Sequence, residues 1–225
     1  PEEFVIPFFE PGLPAEYELM RSIRVVSQAK KKKVGVLKSG VELFGGFDFQ
    51  NRRRTADWSI VAELRKQYEV VQVEAVEEYP ADLDALIAVQ PTTMGQNAVA
   101  RLAEHIAQGK PALLLLDPLP AFNIALSPQQ TPPSPFDRTP PREPADLSQI
   151  FDALGVEWPS ERIVWDKYNP HPRFRNLPPE LAFVSAGNGE GGFNPDSPVT
   201  SGLQEVVLLY GGHFRPREGA KTKFT

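Results

Sequence analysis

The strongest constraint on this chain lies between residues 33 and 118, where short apolar runs alternate with segments of helical period. Val34, Val36 and Leu37 form the first run, and Val70, Val71 and Val73 the second. Asp82–Asp84 with Leu86–Val89, ended by Pro91, read as the third; Ala112–Leu116, between Pro111 and Asp117-Pro118, is the fourth. Between the first two runs, Trp58–Tyr68 sets Trp58, Val61, Ala62 and Leu64 on one face, with Asp57 as the expected N-cap. Between the last two, Gln96–Gln108 aligns Val99, Leu102, Ala103 and Ile106, and Gly109 stands where a C-cap belongs. Strands that are apolar throughout belong in a parallel sheet covered on both faces. Joined by right-handed helical crossovers, they predict a doubly wound, mostly parallel, Rossmann-like α/β fold. Ala112–Leu116 is expected to be its fully buried central strand.

Around this block, residues 1–14 read as an extended lead-in punctuated by Pro1, Pro7, Pro11 and Pro14. Residues 15–225 read as a single α/β domain. It opens on an amphipathic helix, Ala15–Gln28, with Tyr17, Met20 and Ile23 near helical spacing. Ser39–Thr55 reads as a long glycine-containing loop. The chain holds 24 prolines in 225 residues, about twice the usual share of roughly 5%. Proline removes a backbone donor and fixes φ, so the excess belongs in loops. The segment 126–144 takes seven of them and is expected as a long proline-rich insertion, mobile or functional. Beyond it, Ala145–Leu154 reads as a helix capped by Gly155, and Glu161–Trp165, Leu181–Val184 and Val206–Tyr210 as strands.

Composition narrows the chemistry. A net charge of −5 argues against a nucleic-acid partner, which calls for a basic face. The absence of cysteine removes disulfides, thiolate zinc sites and cysteine nucleophiles together. His105, His171 and His213 lack the spacing of a metal-binding pair, and no serine sits in a Gly-x-Ser-x-Gly elbow. Gly40, Gly45 and Gly46 follow the first strand, where doubly wound sheets bind ligands. They form neither Gly-x-Gly-x-x-Gly nor a Gly-Lys-Ser/Thr loop, so no nucleotide and no cofactor is expected. Arg52, Arg53 and Arg54 fit either an anion contact or a solvated loop. Asp48, Asp117 and Asp166 offer oxygen ligands at the same rim, yet an Asp before Pro more commonly organises a turn, and no metal is expected.

What remains is a recognition surface without a catalytic residue: Gly45, Gly46, Arg52, Arg53, Arg54, Trp58, Asp117, Trp165, Asp166 and Tyr168. Exposed aromatics beside polar groups suit a glycan or a peptide. The alternative is a carbohydrate-active hydrolase or sugar-binding domain using the rim carboxylates, which for hydrolysis must stand about 5–10 Å apart across a cleft. No apolar run approaches the ~18–20 residues that cross a bilayer. The chain opens at Pro1 rather than Met, and we read it as a piece of a longer protein.

Several segments, in order, resemble the ABC-transporter auxiliary family that includes GldG of gliding motility. Phe8-Phe9-Glu10-Pro11 with Glu16-Tyr17-Glu18-Leu19 is similar to that family's lead-in helix. Lys33-Val34-Gly35-Val36-Leu37, followed by Gly45-Gly46 and Trp58, resembles its first strand, loop and helix. Asp84-Ala85-Leu86-Ile87-Ala88-Val89-Gln90-Pro91 looks like its strand ending in proline. The stretch Gln108-Gly109-Lys110-Pro111 to Asp117-Pro118 resembles its Gly-Gly…Asp-Pro strand, with Lys110 where a second glycine is common. Leu154-Gly155-Val156 and Thr200-Ser201-Gly202-Leu203 match in type. The resemblance spans most of residues 8–210. It implies an extracytoplasmic (periplasmic-side) domain of a membrane-anchored protein, partnered with an ABC permease and ATPase, and a class I glutamine-amidotransferase-like fold. Amidotransferase chemistry does not carry over, because its nucleophile is a cysteine.

Overall fold

The computed structural model describes residues 19–23, 25, 30–48, 52–129, 143–167, 177–185, 192–197 and 199–223. The chain divides into two units. The first comprises residues up to Lys38, Glu42–Ala88 and Pro111–Leu113; the second comprises Ser39–Val41, Val89–Lys110 and Leu114 onward. The expected lead-in, 1–14, and most of the proline-rich insertion, 130–142, lie outside the described residues.

Four strands build the principal sheet: β1 (Lys33–Leu37), β4 (Glu69–Val73), β5 (Ala85–Val89) and β6 (Ala112–Leu115), in the order β4-β1-β5-β6. The ladders flanking β1 are parallel, with Val34 opposite Val70 on one side and Ala85 on the other. The first long strand has the second on one side and the third on the other, which is the order reversal of a doubly wound α/β sheet. Val34, Val36 and Leu37 are buried on β1, and Leu86, Ile87 and Ala88 on β5. Apolar side chains at consecutive positions need cover on both faces, which is why these runs could be read as parallel strands.

The edges of the expected strands shift for identifiable reasons. Asp82–Asp84 precedes β5 instead of belonging to it, because Asp82 and Asp84 hold Lys33. The Lys33 ammonium donates to Asp82 Oδ2 at 2.7 Å, and its main-chain N–H donates to Asp84 Oδ2 at 2.7 Å. The hydrogen bond from Lys33 pulls the Asp82 carboxyl below its ordinary value and the same bond raises Lys33. The larger correction concerns β6. It is not the buried central strand but the edge of the sheet, with Leu113 51% and Leu115 37% exposed. Its composition asks for two covered faces, whereas among the described residues β6 has one strand neighbour, β5, and its side chains stay largely exposed.

In the first unit, α1 (Ser59–Gln67) packs against β4. Only Val61 of its expected packed face is buried, whereas Trp58 and Ala62 are exposed. The loop expected over Ser39–Thr55 contains a short antiparallel hairpin, β2 (Phe47–Asp48) with β3 (Arg53–Arg54). Residues 19–23 are helical as expected, but Met20 and Ile23 point to solvent while Arg21 and Ser22 are buried. Periodicity fixes which residues share a helix face, not which face turns inward.

In the second unit, α2 (Gln96–Ala107) buries Ala98, Val99, Leu102 and Ala103 together with His105, and packs on α3 (Ser148–Leu154). Gly109 and Gly155 follow these helices with φ of 73° and 67°, the left-handed conformation that glycine takes without a Cβ penalty. The helix expected from Ala145 starts only at Ser148. Two antiparallel pairs complete this unit: β7 (Val156–Glu157) with β10 (Arg215–Pro216), and β8 (Leu181–Ser185) with β9 (Glu205–Leu209). Glu161–Trp165 forms no strand. Val164 N–H bonds Gly211 O and Asp166 N–H bonds Pro179 O, two separate segments instead of one ladder. Among the described residues no helix is long and apolar enough to cross a membrane.

Candidate functional site

The sequence-predicted surface residues divide between the units. Gly45, Gly46, Arg52, Arg53, Arg54 and Trp58 belong to the first; Asp117, Trp165 and Asp166 belong to the second. Tyr168 and the side chains of Asp48 and Arg53 lie outside the described part.

In the first unit main-chain bonds tie the segment of the glycine pair to the segment that leads into α1. Thr55 N–H bonds Gly46 O at 2.9 Å, and Trp58 N–H bonds Leu43 O at 2.9 Å. Asp57 joins them. It is not the N-cap of α1, a position held by Trp58. Its carboxylate instead accepts from Gly45 N–H at 2.7 Å and from the Arg65 guanidinium. Arg65 also lies 5.6 Å over the Phe44 ring. Arg52 is exposed in a left-handed turn, φ 51°, and Arg54 and Trp58 are exposed as well.

In the second unit Asp117 has a structural task. Its Oδ1 accepts from Leu119 N–H at 2.9 Å, closing the turn that follows β6. Burial pushes its carboxyl above the usual aspartate value, with the Leu119 N–H pulling the other way. Trp165 is 55% exposed, and Asp166 is half-buried next to it. Among the described residues no group of three His, Cys, Asp or Glu side chains stands close enough to hold a metal ion.

One concavity was not foreseen from the residues. It is a cleft of about 560 Å3 at the start of α3, walled by Pro128, Leu147, Phe151, Trp158 and Arg217, with Thr92 in its lining. Its scaffold is tied at each end. Ala145 N–H bonds Thr92 O at 2.9 Å, and Gln96 exchanges two hydrogen bonds with the Asp146 main chain, at 2.9 and 3.0 Å. The Asp146 carboxylate accepts from both Ser148 N–H and Ser148 Oγ–H, and the main-chain bond chiefly holds its carboxyl below the usual value. Phe151 meets Trp158 edge-on at 5.9 Å, and Trp158 stacks on Phe214 at 6.4 Å. Arg217 is paired with Asp152. Glu157 and Ser160 add polar groups to the rim. Thr92 is 3% exposed, and its buried Oγ1 has no hydrogen-bond partner among the described residues.

An aromatic wall, a proline edge and a few polar groups line a cleft within the size range of ligand pockets. All of it falls within the span that places the chain among known sequences. The family described as an ABC-type uncharacterized transport system matches residues 31–225. The chain belongs to this family. No curated protein and no solved structure matches it. It is therefore an auxiliary component of an ABC-type transport system, as the resemblance implied.

Proposed function

We propose that the chain is a non-catalytic recognition or adaptor domain on the extracytoplasmic side of the membrane, the GldG-like part of a membrane-anchored auxiliary component that docks on an ABC permease and ATPase. The observation that carries this reading is the cleft beside α3, with Phe151 and Trp158 as its wall and Glu157, Ser160 and Arg217 at its rim. Such an arrangement suits a peptide segment or a glycan, since aromatic faces supply contact area and the polar rim supplies direction. Of the carboxylates expected at the rim, Asp117 is engaged in closing the turn at Leu119. That use supports recognition over the hydrolytic alternative.

Capture of the cognate permease and ATPase from detergent-solubilised membranes by the immobilised chain tests the reading. Wild-type chain is expected to retain both subunits, and Glu157→Arg with Ser160→Arg, which crowd the cleft without touching buried residues, to lose them. Retention of neither subunit by the wild type would sink the adaptor role. Equal retention by the double variant would remove the cleft from it. Release of reducing sugar from an oligosaccharide panel would restore the hydrolase. Protease added to intact cells carrying the full-length protein should cleave this domain if it lies outside the membrane.

A further inference from the structure

The main chain at the start of α3, along one wall of the cleft, is already bonded within the protein. Ala145 N–H bonds Thr92 O, the Gln96 amide holds both Asp146 N–H and Asp146 O, and Ser148 N–H bonds the Asp146 carboxylate. A ligand that adds as a β-strand needs a row of open main-chain donors and acceptors, and these positions have none to give. The side chains are engaged as well. Asp146 accepts twice from Ser148, Ser160 Oγ accepts from Gln129 Nε2 at 3.2 Å, and Arg217 pairs with Asp152. A glycan, whose hydroxyls each need a partner once desolvated, is poorly served here. Apolar surface is what the cleft presents instead. The Phe151 and Trp158 rings meet at 60°, with Pro128 and Leu147 completing the lining around them.

A proline-rich segment suits that balance. Polyproline II is formed before binding and has no internal hydrogen bonds, so it docks on aromatic grooves through ring contacts at a small ordering cost. Its prolines bring no N–H group that would need an acceptor. Charge narrows the ligand further. Asp146 and Glu157 are exposed carboxylates at the cleft, whereas the charge of Arg217 is offset by Asp152. The lining is therefore anionic on balance and complementary to a basic side chain. Resting on the reading of this cleft as a recognition site, we infer that its occupant is a proline-rich segment of a partner protein, held in polyproline II form and carrying an arginine or lysine. Phe151 and Trp158 receive the proline rings, and Glu157 and Asp146 attract the cation.

Acetylated hexaproline ending in arginine amide is the probe, titrated into the isotope-labelled 225-residue chain while the Trp158 indole N–H signal is followed. Loss of that signal in Trp158→Phe identifies it. The arginine peptide should shift it saturably, and hexaproline ending in glutamate should bind roughly threefold to tenfold more weakly. A glycine-serine peptide of the same length, also ending in arginine, should not saturate. Glu157→Gln changes an exposed side chain and should narrow the preference for arginine over glutamate. No saturable shift with the arginine peptide, equal binding of the glycine-serine peptide, a charge preference untouched by Glu157→Gln, or tighter binding of chitohexaose would each overturn the inference. Peptide binding without capture of permease and ATPase would leave the proline-rich ligand standing and remove the adaptor role. Capture without peptide binding would do the reverse.

Discussion

Gln90 holds the main chain of Asp117 from both directions: its Nε2 donates to Asp117 O at 2.8 Å, and its Oε1 accepts from Asp117 N–H at 2.9 Å. The same Nε2 donates to Leu126 O at 3.0 Å. Gln90 is 2% exposed and left-handed, with φ 47°. One buried amide thus sets both the turn after β6 and the segment leading to Pro128 at the cleft. Gln90→Leu removes three hydrogen bonds and leaves main-chain groups without partners. Each such loss costs about 1 kcal/mol net, and more where the orphaned group stays buried. The expected drop in unfolding free energy is about 2–4 kcal/mol, read as a lower urea midpoint at unchanged slope. A midpoint within error of wild type would mean that the clasp is dispensable.

Asp117 supplies a pH signature. Its carboxyl is raised in the folded chain by burial, so folding favours the protonated form there. Stability contributed by that proton is complete below the ordinary aspartate value and is lost as pH climbs through the raised folded value. Asp117→Asn keeps an oxygen for Leu119 N–H and removes the titration. The variant should match wild type in strongly acidic buffer and gain on it toward neutral pH, with the difference levelling once the folded carboxyl has ionised. Melting temperatures of the two proteins across that range decide it; a difference independent of pH would contradict the assigned cause.

How much of this was legible from the residues depended on how locally each feature is determined. The strands Val34–Leu37 and Leu86–Val89 were, because burial on two faces writes itself as an unbroken apolar run. The position of Ala112–Leu115 was not, since a strand's composition does not name its neighbours, and Leu113 and Leu115 ended at an edge. Asp57 had the right residue type for an N-cap, but Gly45 and Arg65 recruited its carboxylate from outside the local window. Phe151 on α3 and Trp158 just after β7 are joined by Phe214 from a distant segment. No spacing rule joins them, so the cleft had no sequence signal.

The adjacent glycines of the first unit should respond oppositely to alanine. A Cβ on Gly45 would overlap the Thr55 carbonyl oxygen and stand 2.7 Å from Ala56 C and Asp57 N, all main-chain atoms that cannot swing aside. Gly46 has nothing within 4 Å of an added Cβ. Gly45→Ala is expected to destabilise by about 2–3 kcal/mol, as overpacking does. Gly46→Ala should be neutral or gain about 0.4–1 kcal/mol through the less disordered unfolded chain. Denaturant midpoints of the pair test the close approach directly; similar values for both would refute it.

Thr92 offers the last test, because its hydroxyl is buried without a partner among the described residues while its carbonyl anchors Ala145 N–H at 2.9 Å. Burying an unpaired hydroxyl costs about 1–3 kcal/mol relative to leaving it in water. Thr92→Val keeps the branched shape and the main-chain bond and deletes the orphaned group. The variant should therefore be more stable than wild type by about 1 kcal/mol, a rare sign for a buried substitution, since most destabilise. Thermal unfolding of the two chains at one pH reads the difference. A destabilised Thr92→Val would show that the hydroxyl is satisfied in the folded protein, and the cleft lining would then hold no unmet polar group at that position.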